Sequence, residues 1–559
     1  MRFHWFVKSS ERQSKVGRSL RVLGPTWRAS PWRRIAQAAC FTLFLVLFFF
    51  VAWPGGMGDF ALSRARKEII DIELFLALDP LVGISAAIAS RAWVWSLWFG
   101  GAMLLIGIVL PRMFCGYLCP MGTLVDLFDW AVSNRVKRFR VRRIGWWRPL
   151  RYFVLIAVLV AAAGGVMLVG YVAAIPVLTR GFQFMASPLQ IGMVRGWGEV
   201  PSVHAAQWVS ISLFVGVLLL GLLRPRFWCR HVCPSGALFS IGNLLRMNER
   251  KVQDHCIECG KCSKVCSFDA INDDFSTIGA NCAFCQTCGG VCPVDAIHFT
   301  GRFSGVADAA VATSPKPPAE EESGVDHSRR RFLIGAAVST VGGALAVRGI
   351  QMTSGADLPL VLRPPGSSAE ADFVRLCTRC DQCLRVCPTG ILQPMGIGQG
   401  LDRLWTPQAN ADFAGCDPSC NNCGQACPTG AIAALTLEKK REIRMGLAEV
   451  DSATCLACRG QRDCDTSGGT HLICQDACEA AGYSAILVEG ESAVTPVVRA
   501  ETCVGCGLCQ AACFRTNVIE KKLLSTAAIR VRPGVDGRTV NAAASTRPSV
   551  DVQYSVPSD

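Results

Sequence analysis

Cysteines at three-residue intervals are the groups in this chain best suited to chemistry. Four runs read C-x2-C-x2-C-x3-C: Cys256, Cys259, Cys262, Cys266; Cys282, Cys285, Cys288, Cys292; Cys377, Cys380, Cys383, Cys387; and Cys503, Cys506, Cys509, Cys513. A fifth run, Cys416, Cys420, Cys423, Cys427, has one more residue in its first gap. Thiolates at this spacing hold cubane 4Fe-4S clusters, and neighbouring runs exchange their last cysteine. Such clusters carry single electrons, so the expected chemistry is electron transfer. A disulfide scaffold is the competing use of 30 cysteines. It fits poorly, because bridges within C-x2-C would close short, strained loops.

Ligand exchange gives Cys256, Cys259, Cys262 and Cys292 to one cluster, and Cys282, Cys285, Cys288 and Cys266 to its neighbour. In the second half, Cys377, Cys380 and Cys383 go with Cys427, and Cys416, Cys420 and Cys423 with Cys387. The last pair is irregular. Its downstream run, Cys503 to Cys513, is followed by Phe514 where proline is usual. Upstream, five cysteines compete for four places: Cys455, Cys458, Cys464, Cys474 and Cys478. The gap Cys474-Gln-Asp-Ala-Cys478 matches a closing x3 interval, so the expected ligands are Cys455, Cys464, Cys474 and Cys478, with Cys458 spare. Six 4Fe-4S clusters would hold about 24 irons.

The elements around these runs include membrane segments. Mean hydropathy is +0.32, and 51% of residues are hydrophobic. Four stretches, 34–53, 93–110, 150–172 and 206–223, approach the ~20 apolar residues a span needs. Nine Lys/Arg lie from Arg2 to Arg34, and the loop after the second stretch is also rich in arginine. Basic loops stay cytoplasmic, so the N-terminus should be inside. The net charge of +14 therefore reads as a topology signal, not as a nucleic-acid surface. There is no C-x-x-C-H haem motif, phosphate loop, dinucleotide fingerprint or hydrolytic triad. His204 reads as interfacial and Cys40 as a small apolar residue within the first stretch.

The cytoplasmic ends of stretches two and four match. Pro111-Arg-Met-Phe-Cys-Gly-Tyr-Leu-Cys-Pro parallels Pro225-Arg-Phe-Trp-Cys-Arg-His-Val-Cys-Pro. This is a two-helix unit repeated in the same orientation, a relation commonly generated by an axis along the membrane normal. Cys115, Cys119, Cys229 and Cys233 would face that axis. They are the candidate catalytic residues, either as a further metal centre or as redox-active thiols near a quinone.

The domain plan is then a basic N-terminus (1–33), a four-span domain (34–245) and a cytoplasmic two-cluster ferredoxin (246–301). A flexible linker (302–327), a twin-arginine segment (328–350), a four-cluster domain (370–520) and a disordered tail (534–559) follow. Ser328-Arg-Arg-Arg-Phe-Leu333 fits the twin-arginine consensus, and about 16 apolar residues follow it. The segment is read as an export signal that stays as a weak anchor. The fold class is α+β: a four-helix membrane domain with a parallel two-helix repeat, plus ferredoxin-like domains. One cluster pair lies in the first half and two in the second.

Residues 1–300 resemble NapH-type membrane ferredoxins, and residues 325–520 resemble NapG/MauM-type ferredoxins, on the motifs quoted above. The resemblance implies an electron-transfer component of a quinol dehydrogenase-like system, here fused into one chain. It implies a multi-pass protein of a bacterial inner membrane, with the first cluster pair cytoplasmic and the second half periplasmic. The implied partners are quinol or quinone and a periplasmic oxidoreductase, such as a nitrate reductase-type enzyme, or its cytochrome. The alternative is a maturation factor for a periplasmic metalloenzyme.

Overall fold

Helices form at all four apolar stretches of the first half, but their lengths differ from expectation. The computed structural model describes residues 29–52, 59–136, 138–141, 147–197, 200–201, 203–304, 322–353, 360–461, 463–466, 471–489 and 495–533. The basic N-terminus before residue 29, most of the linker and the tail after 533 lie outside the described residues. The chain divides into two units. One comprises residues 1–48, 74–181 and 210–347, and the other 49–73, 182–209 and 348–559.

Among the described residues, three helices are long and apolar enough to cross a membrane: Pro31–Val51, Ala205–Leu222 and Arg330–Met352. The first starts on a proline, whose fixed φ suits a first helical turn. The expected second and third spans are shorter, Ser96–Val109 and Leu150–Ala163. Gly164 caps the latter and Gly165 turns left-handed at φ 79°, so the apolar run to 172 breaks in two. Residues 173–205, expected as a loop, contain the helix Ala174–Arg195, and the loop 54–92 contains Pro80–Ser90.

The twin-arginine segment is longer than its apolar core suggests. Its helix runs over Glu322–Thr353, and the candidate span within it has 23 residues. It packs on Leu150–Ala163 through small residues. A Cβ on Gly335 would collide with the Phe153 ring, and one on Gly343 would come within 3.1 Å of Ala157 O. The Phe153 and Phe332 rings lie 5.7 Å apart. Small residues let helix backbones approach in this way in lipid, where apolar burial offers little drive.

The first ferredoxin segment is framed by one antiparallel ladder, Asn248–Val252 with Ile297–Gly301. Between the strands lie two short helices, Lys261–Val265 and Thr287–Gly290. The second unit has the same economy. Its ladders are all two-stranded: Leu392–Pro394 with Pro407–Ala409, Leu447–Val450 with Ile529–Arg532, Asp465–Thr466 with His471–Leu472, and Ile486–Glu489 with Thr495–Val498. Pairing of Ile529–Arg532 carries the second ferredoxin domain past the expected boundary at residue 520. These ladders cannot enclose a conventional core, so cysteines serve as core residues. Cys455, Cys478, Cys503, Cys509 and Cys513 are buried with Leu472, Ile486 and Ile529.

The second unit includes two segments from the first half, 49–73 and 182–209, fixed by specific bonds. Arg64 Nη1 donates to Asn422 O at 2.7 Å, and Ala61 N to Ser419 O at 3.2 Å. Arg385 Nη1 donates to Gln183 Oε1 at 3.2 Å and Gln190 Oε1 at 2.5 Å. Trp405 Nε1 donates to Ala206 O at 2.7 Å.

Candidate iron–sulfur and thiol sites

None of the 30 cysteines is joined in a disulfide. Burial pushes Cys282 up to about 12, and the nearby Cys285 and Cys266 add to the shift. Cys288 is pushed well above the usual thiol range by burial and by Cys285, Cys266 and Cys282. The fold thus brings together Cys266, Cys282, Cys285 and Cys288, the four that ligand exchange groups. In the neighbouring set, Cys262 is raised by burial, with Cys256 and Cys259 close by. Cys292 is half-buried and its N–H bonds to Gly289 O at 3.1 Å.

The second half repeats the arrangement. Burial raises Cys383, and Cys380, Cys377 and Cys427 reinforce it. Burial also raises Cys423, with Cys416, Cys420 and Cys387 around it. The irregular pair exchanges ligands too. Cys506 is pushed up to about 12 by burial, with Cys416, Cys478 and Cys503 adding, and Cys509 lies beside Cys506, Cys474, Cys503 and Cys478. Cys474 is likewise pushed up to about 12 by burial, with Cys513, Cys464 and Cys455 as neighbours. Cys478 thus sits with the downstream run, and Cys513 crosses to the upstream one. Grouping Cys478 with Cys455, Cys464 and Cys474 misses this exchange. Cys458 stands beside Cys455 and Cys464, and burial raises it to about 11.

The quartets fit clusters better than single ions. Among the described residues, no three thiol sulfurs lie within 4.8 Å of one another. A zinc ion with bonds of about 2.3 Å would draw four sulfurs to about 3.8 Å apart. Thiols raised this far stay protonated without metal, so ligation must release protons.

The C-x3-C-P thiols also meet. Cys119 is buried beside Cys115, Cys229 and Cys233. Cys119 and Cys233 cap the helices Pro120–Phe128 and Pro234–Gly242, each with proline at its start. The duplication continues in the surrounding bonds. Arg226 Nη1 donates to Cys115 O at 2.9 Å, while Arg112 Nη2 lies 3.5 Å from Cys229 O. Both arginines are fully buried and left-handed, at φ 54° and 50°. A Cβ on Gly122 or Gly236 would press on those same carbonyls at 3.0 and 2.9 Å. Arg33 Nε binds Gly116 O, and Arg151 Nη1 binds the matching Arg230 O, both at 3.2 Å.

Phe268 seats the first ferredoxin segment on this axis. It is buried two residues after Cys266 and faces Arg226 at 4.4 Å and Arg112 at 5.6 Å, distances suited to cation–π attraction. The repeat is asymmetric at Asp126. Its carboxylate takes Arg33 at 2.8 Å, Arg34 at 2.9 Å and Arg226 at 2.5 Å, and Gln37 Nε2 at 3.0 Å. Sequence reading missed Asp126 and the Arg33/Arg151 pair. The available signal was Pro-x-Arg opening both the first and third apolar stretches, at Pro31 and Pro149.

Buried thiol quartets on two-stranded ladders, and apolar helices whose repeat gathers four further thiols, define a ferredoxin-type iron–sulfur protein of the membrane. A family model described as "4Fe-4S binding domain" matches residues 91–145 and 206–251, once on each repeat, and a second of the same description matches residues 250–272. The methylamine utilization ferredoxin-type protein MauM of Methylorubrum extorquens is 33% identical over 224 residues, 39% of this chain and 95% of MauM. The ferredoxin-type protein NapH of Haemophilus influenzae is 25% identical over 241 residues, 42% of this chain and 73% of NapH. The putative electron transport protein YccM of Escherichia coli is 26% identical over 268 residues, and the chain spans 66% of its length. No solved structure matches. The chain belongs to the ferredoxin-type electron-transport proteins of the MauM/NapG family.

Proposed function

We propose that the chain carries electrons between the quinol pool and a periplasmic oxidoreductase or its cytochrome, through six 4Fe-4S clusters. The observation that carries this reading is that one chain has relatives of both kinds, NapH and MauN on one side and MauM and NapG on the other. The quartets above are its ligand sets, with Cys455, Cys464, Cys474 and Cys513 in the irregular site. Bound clusters supply one-electron carriage. The protein's own part is to hold thiolates, exclude water and fix the carbonyls of Cys115 and Cys229 with buried guanidinium groups. The four axial thiols form a further redox or metal centre next to Phe268. The fusion lies in a bacterial inner membrane with its second half outside. The docking of segments 49–73 and 182–209, read as outer loops, onto that half supports this topology.

In proteoliposomes containing the full chain, short-chain ubiquinol should bleach the visible cluster absorption. A chain that dithionite bleaches but quinol does not would overturn the quinol link and favour a maturation role. For the irregular site, Cys464→Ser should lose about 4 irons, whereas Cys458→Ser should keep the full complement. Equal iron loss in both would refute the assignment.

A further inference from the structure

The duplication makes one non-equivalence stand out. Counting from the matched Cys115 and Cys229, Asn243 occupies the place of Asp129, and Ser240 that of Asp126. Asn243 Nδ2 donates to Gly279 O at 3.1 Å and to Cys282 O at 3.0 Å, so the second repeat holds the ferredoxin chain directly. At Asp129 there is a cavity of about 860 Å³ instead. Phe41, Leu127 and Trp130 form its apolar wall, and Asp126, Asp129 and Cys266 lie on its walls as well. Leu127 and Trp130 are exposed, and Ala38 and Phe41 in the cavity lining belong to the candidate span Pro31–Val51, so the cavity opens beside a membrane segment. Its volume lies in the range of sites for small organic ligands.

Asp129 is 5% exposed. Its Oδ2 accepts the Arg226 N–H at 2.8 Å. Its Oδ1 has no hydrogen-bond partner, since the nearby Ser133 hydroxyl donates to Gly221 O at 2.6 Å. A buried carboxylate oxygen without a partner is costly unless a ligand's O–H fills the place. Asp126 and Arg226 are the charged groups beside it, and Arg34, Lys261 and Lys264 lie on the other walls. Burial pushes the Asp129 carboxyl up to about 7, where a general base is most effective.

We propose that this cavity receives the ring of a membrane hydroquinone and that Asp129 accepts one of its protons. The inference rests on the quinol reading above and gives it a location. Oxidation breaks both O–H bonds of the hydroquinone and leaves a quinone. One proton passes to the Asp129 carboxylate and the other to water. The two electrons would be taken, one each, by oxidised clusters of the first pair, which the quartet including Cys266 on the cavity wall would hold.

The test uses the full, cluster-loaded chain in nanodiscs with a photoreactive azidoquinone and short-chain ubiquinol. Mass spectrometry should place the label within 34–42 or 123–134. Ala38→Trp, which narrows the same cavity, should abolish the labelling. Asp129→Asn should keep the label and the dithionite-reducible clusters, yet slow quinol-driven bleaching about 100-fold, the scale of general-base loss. Label confined to 183–207 or 384–394, where a smaller cavity adjoins Cys387, would overturn the location. Unchanged bleaching in Asp129→Asn would overturn the proton role. Quinol that bleaches no cluster in the unaltered chain would instead sink the quinol reading itself.

Discussion

Stripping iron from the anaerobically purified chain is expected to unfold its second unit and not merely silence it. No sheet there exceeds two strands among the described residues, and the buried clusters of side chains contain the thiols themselves. Cys377, Cys383, Cys423 and Cys427 pack on Phe373, Ala431 and Ile432, while Cys387 and Cys416 pack on Leu362, Ile391 and Leu392. Removing the metal leaves protonated thiols around a hole. Binding a structural metal contributes on the order of 10 kcal/mol to folding, and a whole domain is stable by only about 5–15 kcal/mol. Losing several such centres therefore exceeds the stability available. The iron-loaded chain should carry about 24 irons and resist limited proteolysis across residues 362–532. Chelated protein should be cut throughout that range. Apo protein with undiminished protease resistance would show that apolar packing alone suffices and would refute this account.

Much of the site was readable because its chemistry is local. A C-x2-C-x2-C-x3-C run groups three thiols within a few residues, and ligand exchange expects Cys427 and Cys387 beside distant runs, where the fold places them. The same rule applied to the irregular pair would have moved Cys478 downstream and brought Cys513 upstream. It was obscured because the upstream run spreads over 455–478 with an insertion. Apolar patterning located the helices of the four apolar stretches but not their ends, and it missed Pro80–Ser90 and Ala174–Arg195. Length is set by Gly164-Gly165 and by the left-handed Arg91, which hydropathy does not weigh. The helix 322–353 was underestimated for the opposite reason, since polar flanks continue it beyond the apolar core. Asp126 and Asp129 could not be recognised at all. Isolated acids between basic and apolar residues read as solvated, and only the fold puts three arginines around the first.

Replacing that first acid is expected to have the largest effect of any single change in the first unit. Burial alone would raise the Asp126 carboxyl, but Arg226 and Arg33 outweigh it and hold the group well below the usual carboxylate range. Asp126→Ala leaves Arg33 and Arg226, which are 2% and 0% exposed, as buried cations without the carboxylate that both bind. Breaking a buried pair in this way costs about 3–5 kcal/mol. The sign with pH follows from the depressed value. The stabilisation is complete above the unfolded pKa of about 3.9 and falls away only as pH drops toward the folded value. The difference in unfolding midpoint between the unaltered chain and Asp126→Ala should thus stay constant from neutral pH down to about 5. Asp126→Asn should lose nearly as much, because an amide keeps a hydrogen-bond acceptor but no charge. Since Arg226 also holds Cys115 O and faces Phe268, both variants should release the first ferredoxin segment from the thiol axis, read as faster proteolysis within 248–301. If Asp126→Asn matches the unaltered chain in midpoint and protection, hydrogen bonding and not charge organises this axis.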